Sequence, residues 1–222
     1  MSETHPGDLL PEMRRAYEPA GGLREEDLAP TWHEQFERWL ADAIADDRIV
    51  EPNAMVLATA DSDGRPSART VLLKGIDERG FVLYTNLGSR KGSDAAANPH
   101  AALVFDWLEL QRQVVVSGAV DRVSDEQADA YFASRPRGSQ VGAHASPQSS
   151  VIGSREELDE ACAAAAGRHS DGEPVPRPEH WGGLRVVPEK VEFWHGRPNR
   201  LHDRLRYRRE PSGAWVVERL AP

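Results

Sequence analysis

Residues 54–86, AMVLATADSDGRPSARTVLLKGIDERGFVLYTN, carry the pattern that decides the fold. Three short apolar runs, AMVLATA (54–60), SARTVLLKG (67–75) and FVLYTN (81–86), are separated by the turn sequences DSDG and DERG. Runs of this length joined by glycine-containing turns predict antiparallel hairpins. Toward the C-terminus follow a short helical stretch, SRKGSDAAAN, and two more predicted strands, AALVFDW (101–107) and RQVVVSGAVDRV (112–123). Toward the N-terminus, Thr31 with Glu34 forms a capping box that opens a helix. Trp32, Phe36, Trp39, Leu40 and Ile44 recur on its apolar face. Ser124 with Gln127 and Ser154 with Glu157 start two further helices, ending near Ser134 and Arg168. A proline-rich loop, HSDGEPVPRPEH, precedes three predicted strands in GLRVVPEKVEFWHG, LHDRLRYRRE and AWVVERL.

Strands grouped with few intervening helices argue against a parallel sheet, and no G-x-G-x-x-G or Walker A sequence is present. The expected class is α+β: an antiparallel barrel with helices outside. Residues 1–30, rich in proline, glycine and charge, are expected to be mobile, and 31–222 to form a single domain. The chain has 222 residues and a net charge of −9, from 36 acidic and 27 basic residues, which opposes non-specific nucleic-acid binding. A local basic pocket can still oppose that global charge. One cysteine, Cys162, rules out an internal disulfide and reads as a buried thiol. No His pair has convincing metal spacing. With no run of membrane-spanning length and no signal-peptide core, the expected compartment is the cytoplasm.

Two segments concentrate cations. In YTNLGSRKG (84–92), Arg90 and Lys91 stand where a strand gives way to a helix N-terminus, a place the helix dipole disfavours for cations unless an anion lies between them. RTVLLK (69–74) brackets apolar residues with Arg69 and Lys74, as strand ends reaching water or as flanks of a phosphorylated ring. In YFASRPRGSQVG (131–142), Tyr131 and Arg135 share a helix face, Pro136 ends that helix at Arg135, and Ser139 stands where a following turn can begin. This is a second phosphate site or an ordinary helix terminus. Trp181 and Trp194 read as core residues. RLHDR (200–204) reads as an extended strand that places Arg200, His202 and Arg204 on one face.

Together, RTVLLK, YTNLGSRK, RQV, SRPRGSQVGAHASPQSS, WGGLRVVPEKVEFWHG and RLHDR closely resemble the pyridoxine/pyridoxamine 5′-phosphate oxidase family, from MRRAY to RLAP. The resemblance implies a split β-barrel homodimer binding FMN at the subunit interface. It places FMN contacts at Arg69, Thr70, Val71, Leu72, Leu73 and Lys74, at Tyr84, Thr85, Arg90 and Lys91, and at Gln113, Gln148, Ser149, Trp194 and Arg204. It places the substrate phosphate at Lys74, Tyr131, Arg135 and Ser139. Arg200 and His202 fall by the reacting carbon, and Arg14 and Tyr17 on a mobile segment able to close over the site. The implied reaction oxidises pyridoxine or pyridoxamine 5′-phosphate to pyridoxal 5′-phosphate. A hydride passes from C4′ to flavin N5, dioxygen becomes hydrogen peroxide, and the amine releases ammonia. A flavin- or deazaflavin-dependent reductase and a non-catalytic flavin or vitamer carrier are the alternatives, and SRPRGSQ and RLHDR disfavour both. Gly138 and His144 depart from the family pattern at positions that are not implied contacts.

Overall fold

In the computed structural model of the chain, which describes residues 6–13, 17, 21–169 and 173–222, the predicted hairpins close on one another. Strands β1 (Ala54–Ala60), β2 (Pro66–Leu72), β3 (Gly75–Asp77), β4 (Gly80–Asn86), β5 (His100–Trp107), β6 (Arg112–Arg122), β7 (Trp181–His195), β8 (Asp203–Arg209) and β9 (Trp215–Arg219) form one antiparallel sheet. Its order is β2-β1-β5-β6-β7-β4-β3, with β8 added to β7 and β9 to β8. The helices are α1 (Pro6–Leu9), α2 (Trp32–Ala45), α3 (Arg90–Ala97), α4 (Asp125–Ser134), α5 (Arg137–Ala145) and α6 (Arg155–Gly167).

Strand β7 organises the sheet. Along one edge it pairs with β6; along the other, residues 181–186 pair with β4 and residues 190–195 with β8. The change of partner coincides with a bulge, where Ser117 faces Lys190 but Gly118 faces Pro188. A bulge adds one unpaired residue and bends its strand. Gly118 permits the close approach, because a Cβ there would lie 2.0 Å from the Val187 carbonyl oxygen.

The α2 capping box forms as predicted, Thr31 Oγ1 accepting from the Glu34 amide at 3.2 Å. Phe36 and Trp39 fill the barrel end. Phe36 meets Phe81 and Phe105 with ring centroids 4.9 and 4.8 Å apart, and Trp39 meets Phe193 at 5.2 Å. Ile44 differs from expectation: it is exposed, and Ala43 completes the buried stripe. Cys162 is half-buried on α6 rather than fully buried. A third difference is α5. Pro136 ends α4 and at once serves as the N-cap of a new helix, its fixed φ suiting a helix start. Within the segment expected to be mobile, residues 21–30 make fixed contacts: Leu23 and Ala29 are buried, and the Tyr207 hydroxyl donates to the Ala29 carbonyl at 2.6 Å. Among the described residues, no helix is long and apolar enough to cross a membrane.

Candidate active site

A cavity of about 530 Å³ opens between the edge strand β2, the end of β4, and helices α3, α4 and α5. That volume suits a cofactor or a small ligand. Its lining includes Arg69, Lys74, Lys91 and Arg135 and, among the described residues, no aspartate or glutamate. In a chain of net charge −9 this is a strongly cationic site.

Lys91, on the first turn of α3, donates to Gln148 Oε1 at 2.7 Å, Thr85 Oγ1 at 3.2 Å and Ser89 Oγ at 3.3 Å. All three acceptors are neutral. Burial first, and then the Arg69 charge, hold its ammonium pKa below the ordinary lysine value. Arg135, the C-cap of α4, lies over the Trp181 ring at 4.8 Å and the Phe132 ring at 5.4 Å. Its Nη1 is buried without a hydrogen-bond partner among the described residues, and burial lowers its pKa. Desolvated cations with neutral or missing partners are costly. A phosphate dianion supplies the missing acceptor atoms, so this donor set fits such a group.

The apolar wall is a stack of three nearly parallel rings. Tyr84 lies 4.0 Å from Tyr131 and 5.5 Å from Trp181, with interplanar angles of 10° and 5°. Gly183 makes room for it: a Cβ at that position would approach the Tyr84 ring to 2.8 Å.

Of the residues that the resemblance singled out, the cavity gathers Arg69, Thr70, Val71, Leu72, Lys74, Tyr84, Thr85, Lys91, Tyr131, Arg135, Ser139 and Gln148. Leu73 points into the core instead. Arg90 and Ser149 are joined at the rim, the Arg90 amide donating to Ser149 Oγ at 3.2 Å. A second group does not line the cavity. Gln113, Trp194 and Arg204 sit opposite one another across β6, β7 and β8. Against Trp194 lie His202, with ring centroids 4.6 Å apart, and Tyr17, at 5.7 Å. Arg14 lies outside the described residues. Arg204 is held by Glu192 at 2.7 and 3.1 Å and donates to the Ala221 carbonyl.

The expected strand through RLHDR is corrected. Arg200 ends a 3₁₀ turn over Pro198–Arg200, and β8 begins only at Asp203. Asn199 and Arg200 take φ values of 58° and 62°. Pro198 cannot donate to a ladder, and two left-handed residues after it turn the chain out of extension, so simple alternation fails. The turn orients His202, whose Nδ1 accepts from the Arg197 amide at 3.1 Å. When neutral, its proton is therefore on Nε2. Burial, then the Arg200 charge, lower its pKa.

Residue patterns missed Asn86, Gly142, Ala143, Ser146 and Trp181, which complete the cavity. Trp181 read as core; the pair Gly182–Gly183 after it was the available signal for a ring packed against bare backbone. Gly138 and His144 do not line the cavity, and His144 Nε2 lies 2.7 Å from the Pro176 carbonyl oxygen.

A family model described as pyridoxamine 5′-phosphate oxidase matches residues 41–169, and one described as the pyridoxine 5′-phosphate oxidase C-terminal dimerisation region matches residues 181–222. A pyridoxine/pyridoxamine 5′-phosphate oxidase of Salinispora arenicola (strain CNS-205) is 58% identical over 97% of this chain and 98% of its own. One of Frankia alni (strain DSM 45986 / CECT 9034 / ACN14a) is 61% identical over 94% of this chain and 87% of its own. Among solved structures, PhzG from Burkholderia lata 383, in complex with tetrahydrophenazine-1-carboxylic acid, matches with a TM-score of 0.83 at 33% identity, covering 90% of this chain and 98% of that one. A pyridoxamine 5′-phosphate oxidase-related, FMN binding protein from Nostoc punctiforme PCC 73102 matches with a TM-score of 0.68 at 19% identity, over 88% and 100%, a likeness of fold alone. Relatives more than half identical along almost the whole sequence carry the assignment: this chain belongs to the pyridoxine/pyridoxamine 5′-phosphate oxidase family.

Proposed function

We propose that this chain is an FMN-dependent oxidase that converts pyridoxine and pyridoxamine 5′-phosphate to pyridoxal 5′-phosphate, working as a homodimer. The observation that carries the reading is the cavity itself, with four cations and no carboxylate among the described residues and a wall of stacked rings. It suits flat aromatic ligands bearing phosphate.

In this reading Arg69 and Lys91, with Arg90 at the rim, hold the flavin phosphate. Thr70, Val71, Leu72, Tyr84, Thr85, Gln148 and Ser149 shape the rest of the flavin site, with Leu73 supporting it from the core. Lys74, Tyr131, Arg135 and Ser139 hold the substrate phosphate. Bound FMN supplies the redox chemistry, taking the substrate's hydride and passing electrons to dioxygen. The chain supplies orientation, which alone can lower a barrier by several kcal/mol. His202, neutral and carrying its proton on Nε2, offers a donor to the substrate, and Arg200 adds a positive charge beside it. The dimerisation-region match over residues 181–222 supports a second subunit that brings Gln113, Trp194, Arg200, His202 and Arg204 of one chain to the cavity of the other. Arg14 and Tyr17 close the site.

Aerobic incubation of the purified protein with pyridoxine 5′-phosphate tests the proposal. Equimolar aldehyde and hydrogen peroxide, from a yellow protein holding about one FMN per chain, are the expected result. Flavin bound without turnover would leave a carrier, and turnover that requires a reduced nicotinamide would leave a reductase.

A further inference from the structure

Asp94 is buried on α3, 6% exposed, behind Arg69 and outside the cavity lining. Its Oδ2 accepts from Thr59 Oγ1 at 2.7 Å and from Ser67 Oγ at 2.8 Å, and lies 4.0 Å from the Arg69 guanidinium. A hydroxyl has one proton. With both protons directed at the carboxylate, both hydroxyl oxygens must turn lone pairs elsewhere, and both meet Arg69. Nη1 donates to Thr59 Oγ1 at 2.8 Å and to the Leu57 carbonyl at 3.0 Å, and Nη2 donates to Ser67 Oγ. Among the described residues, Nε–H and the second Nη2 proton are left without a partner.

We infer that Asp94 is a positioning residue for the flavin site: through Thr59 and Ser67 it fixes the Arg69 guanidinium so that its remaining N–H groups face the cavity. The carboxylate acts as an acceptor. Its role is to set the direction of two hydroxyl rotors, and it touches no ligand. Burial raises its pKa, but the Thr59 and Ser67 hydroxyls, with the Arg90 and Arg69 charges, outweigh that and keep it below the ordinary aspartate value. Without the carboxylate the two hydroxyl rotors are no longer held, and the guanidinium they accept from can swing, at the expense of charge-assisted hydrogen bonds to a phosphate.

The inference rests on the reading that Arg69 faces the flavin phosphate, and the test separates the two. Full-length holoprotein is diluted and released FMN is followed by its fluorescence. Asp94→Ala should weaken FMN retention about tenfold, the loss of roughly one charge-assisted hydrogen bond. Asp94→Asn keeps an acceptor oxygen at the same place without charge and should stay within about threefold of wild type, a rescue that a charge effect does not predict. Ser67→Ala removes one arm from an edge strand and should give an intermediate loss even if Asp94→Ala does not fold. In an Arg69→Ala background, Asp94→Ala should add nothing. Wild-type retention in both Asp94→Ala and Ser67→Ala, beside a weakened Arg69→Ala, overturns the relay, as does full additivity with Arg69→Ala or an Asp94→Asn as weak as Asp94→Ala. An Arg69→Ala protein that retains FMN like wild type overturns the placement of Arg69 at the flavin phosphate, and the relay with it.

Discussion

Arg135 shows how a single side chain can be prepared for a ligand it does not yet touch. Trp181 and Phe132 cover its guanidinium faces, and its buried Nη1 has no acceptor among the described residues. The unmet hydrogen bond is a cost that a substrate phosphate removes, so discrimination falls on this residue. Losing a charge-assisted bond costs about 1.5–3 kcal/mol, a factor of roughly 10–100. With Lys74 losing its partner as well as Arg135, wild type should prefer pyridoxine 5′-phosphate to free pyridoxine by about 10² or more in kcat/KM, and Arg135→Ala should reduce that preference at least about tenfold. Steady-state kinetics on both substrates with both proteins decide it; an undiminished preference in the variant would remove Arg135 from the phosphate site. His202 belongs to the same scale. His202→Ala should slow anaerobic flavin reduction with FMN still bound, since it sits beside Trp194 and away from the cavity cations. A variant reduced at the wild-type rate would leave His202 a structural residue.

Helix α4 carries Tyr131 and Arg135, and the proline-rich loop before β7 holds it in place. Arg177 donates to Asp129 at 2.6 Å and Asp125 at 2.9 Å on α4, and to the Trp181 carbonyl at 2.6 Å. The two carboxylates are exposed and Arg177 is largely covered. Solvent-screened ion pairs contribute about 0–1 kcal/mol each, so the strap acts more on helix position than on global stability. Arg177→Ala should lower protection of the α4 amides in hydrogen exchange. KM for pyridoxine 5′-phosphate should rise several-fold, with kcat and FMN content near wild type. Exchange confined to the loop, with KM unchanged, would show that α4 is held by the packing of its Tyr131 and Phe132 on Trp181 alone.

Over the whole molecule, the site residues fall into two groups, one lining the cavity and one on the outer half of β7 with β8. A dimer that joins them predicts that FMN occupancy and subunit association are linked. Sedimentation of the holoprotein should give a dimer that loses flavin on dissociation, and a monomer with full FMN would contradict it. The N-terminal stretch is tied to the same half of the fold through Tyr207, whose phenol is buried and whose pKa is raised from 10.0 to about 12, first by burial. Above pH 10 the unfolded chain loses this proton while the folded one keeps it. Stability from this group is full below pH 10 and falls as pH rises toward 12, by up to about 2–3 kcal/mol. Denaturant melts of Tyr207→Phe should show a shallower loss over that interval; an unchanged slope would place the alkaline sensitivity elsewhere.

The local signals that the sequence carries are those enforced within a few residues. Glycine-bearing turns set the hairpins of β1 to β4, Thr31 with Glu34 and Ser124 with Gln127 started α2 and α4, and the clustered cations of RTVLLK and SRKG marked the cationic cavity. Each depends on backbone geometry or short-range charge, so spacing alone reveals it. Tertiary structure decided the rest. That Trp181 is a cavity wall depends on Gly183 and on the rings of Tyr84 and Tyr131, which come from three separate elements. That Arg200 leaves the strand depends on two left-handed residues, which no periodicity encodes. That Asp94 stands behind Arg69 depends on α3 packing across β1 and β2, joining side chains 25 residues apart. Contacts of this kind depend on which faces meet when the sheet closes, a property of the folded chain and of no segment within it.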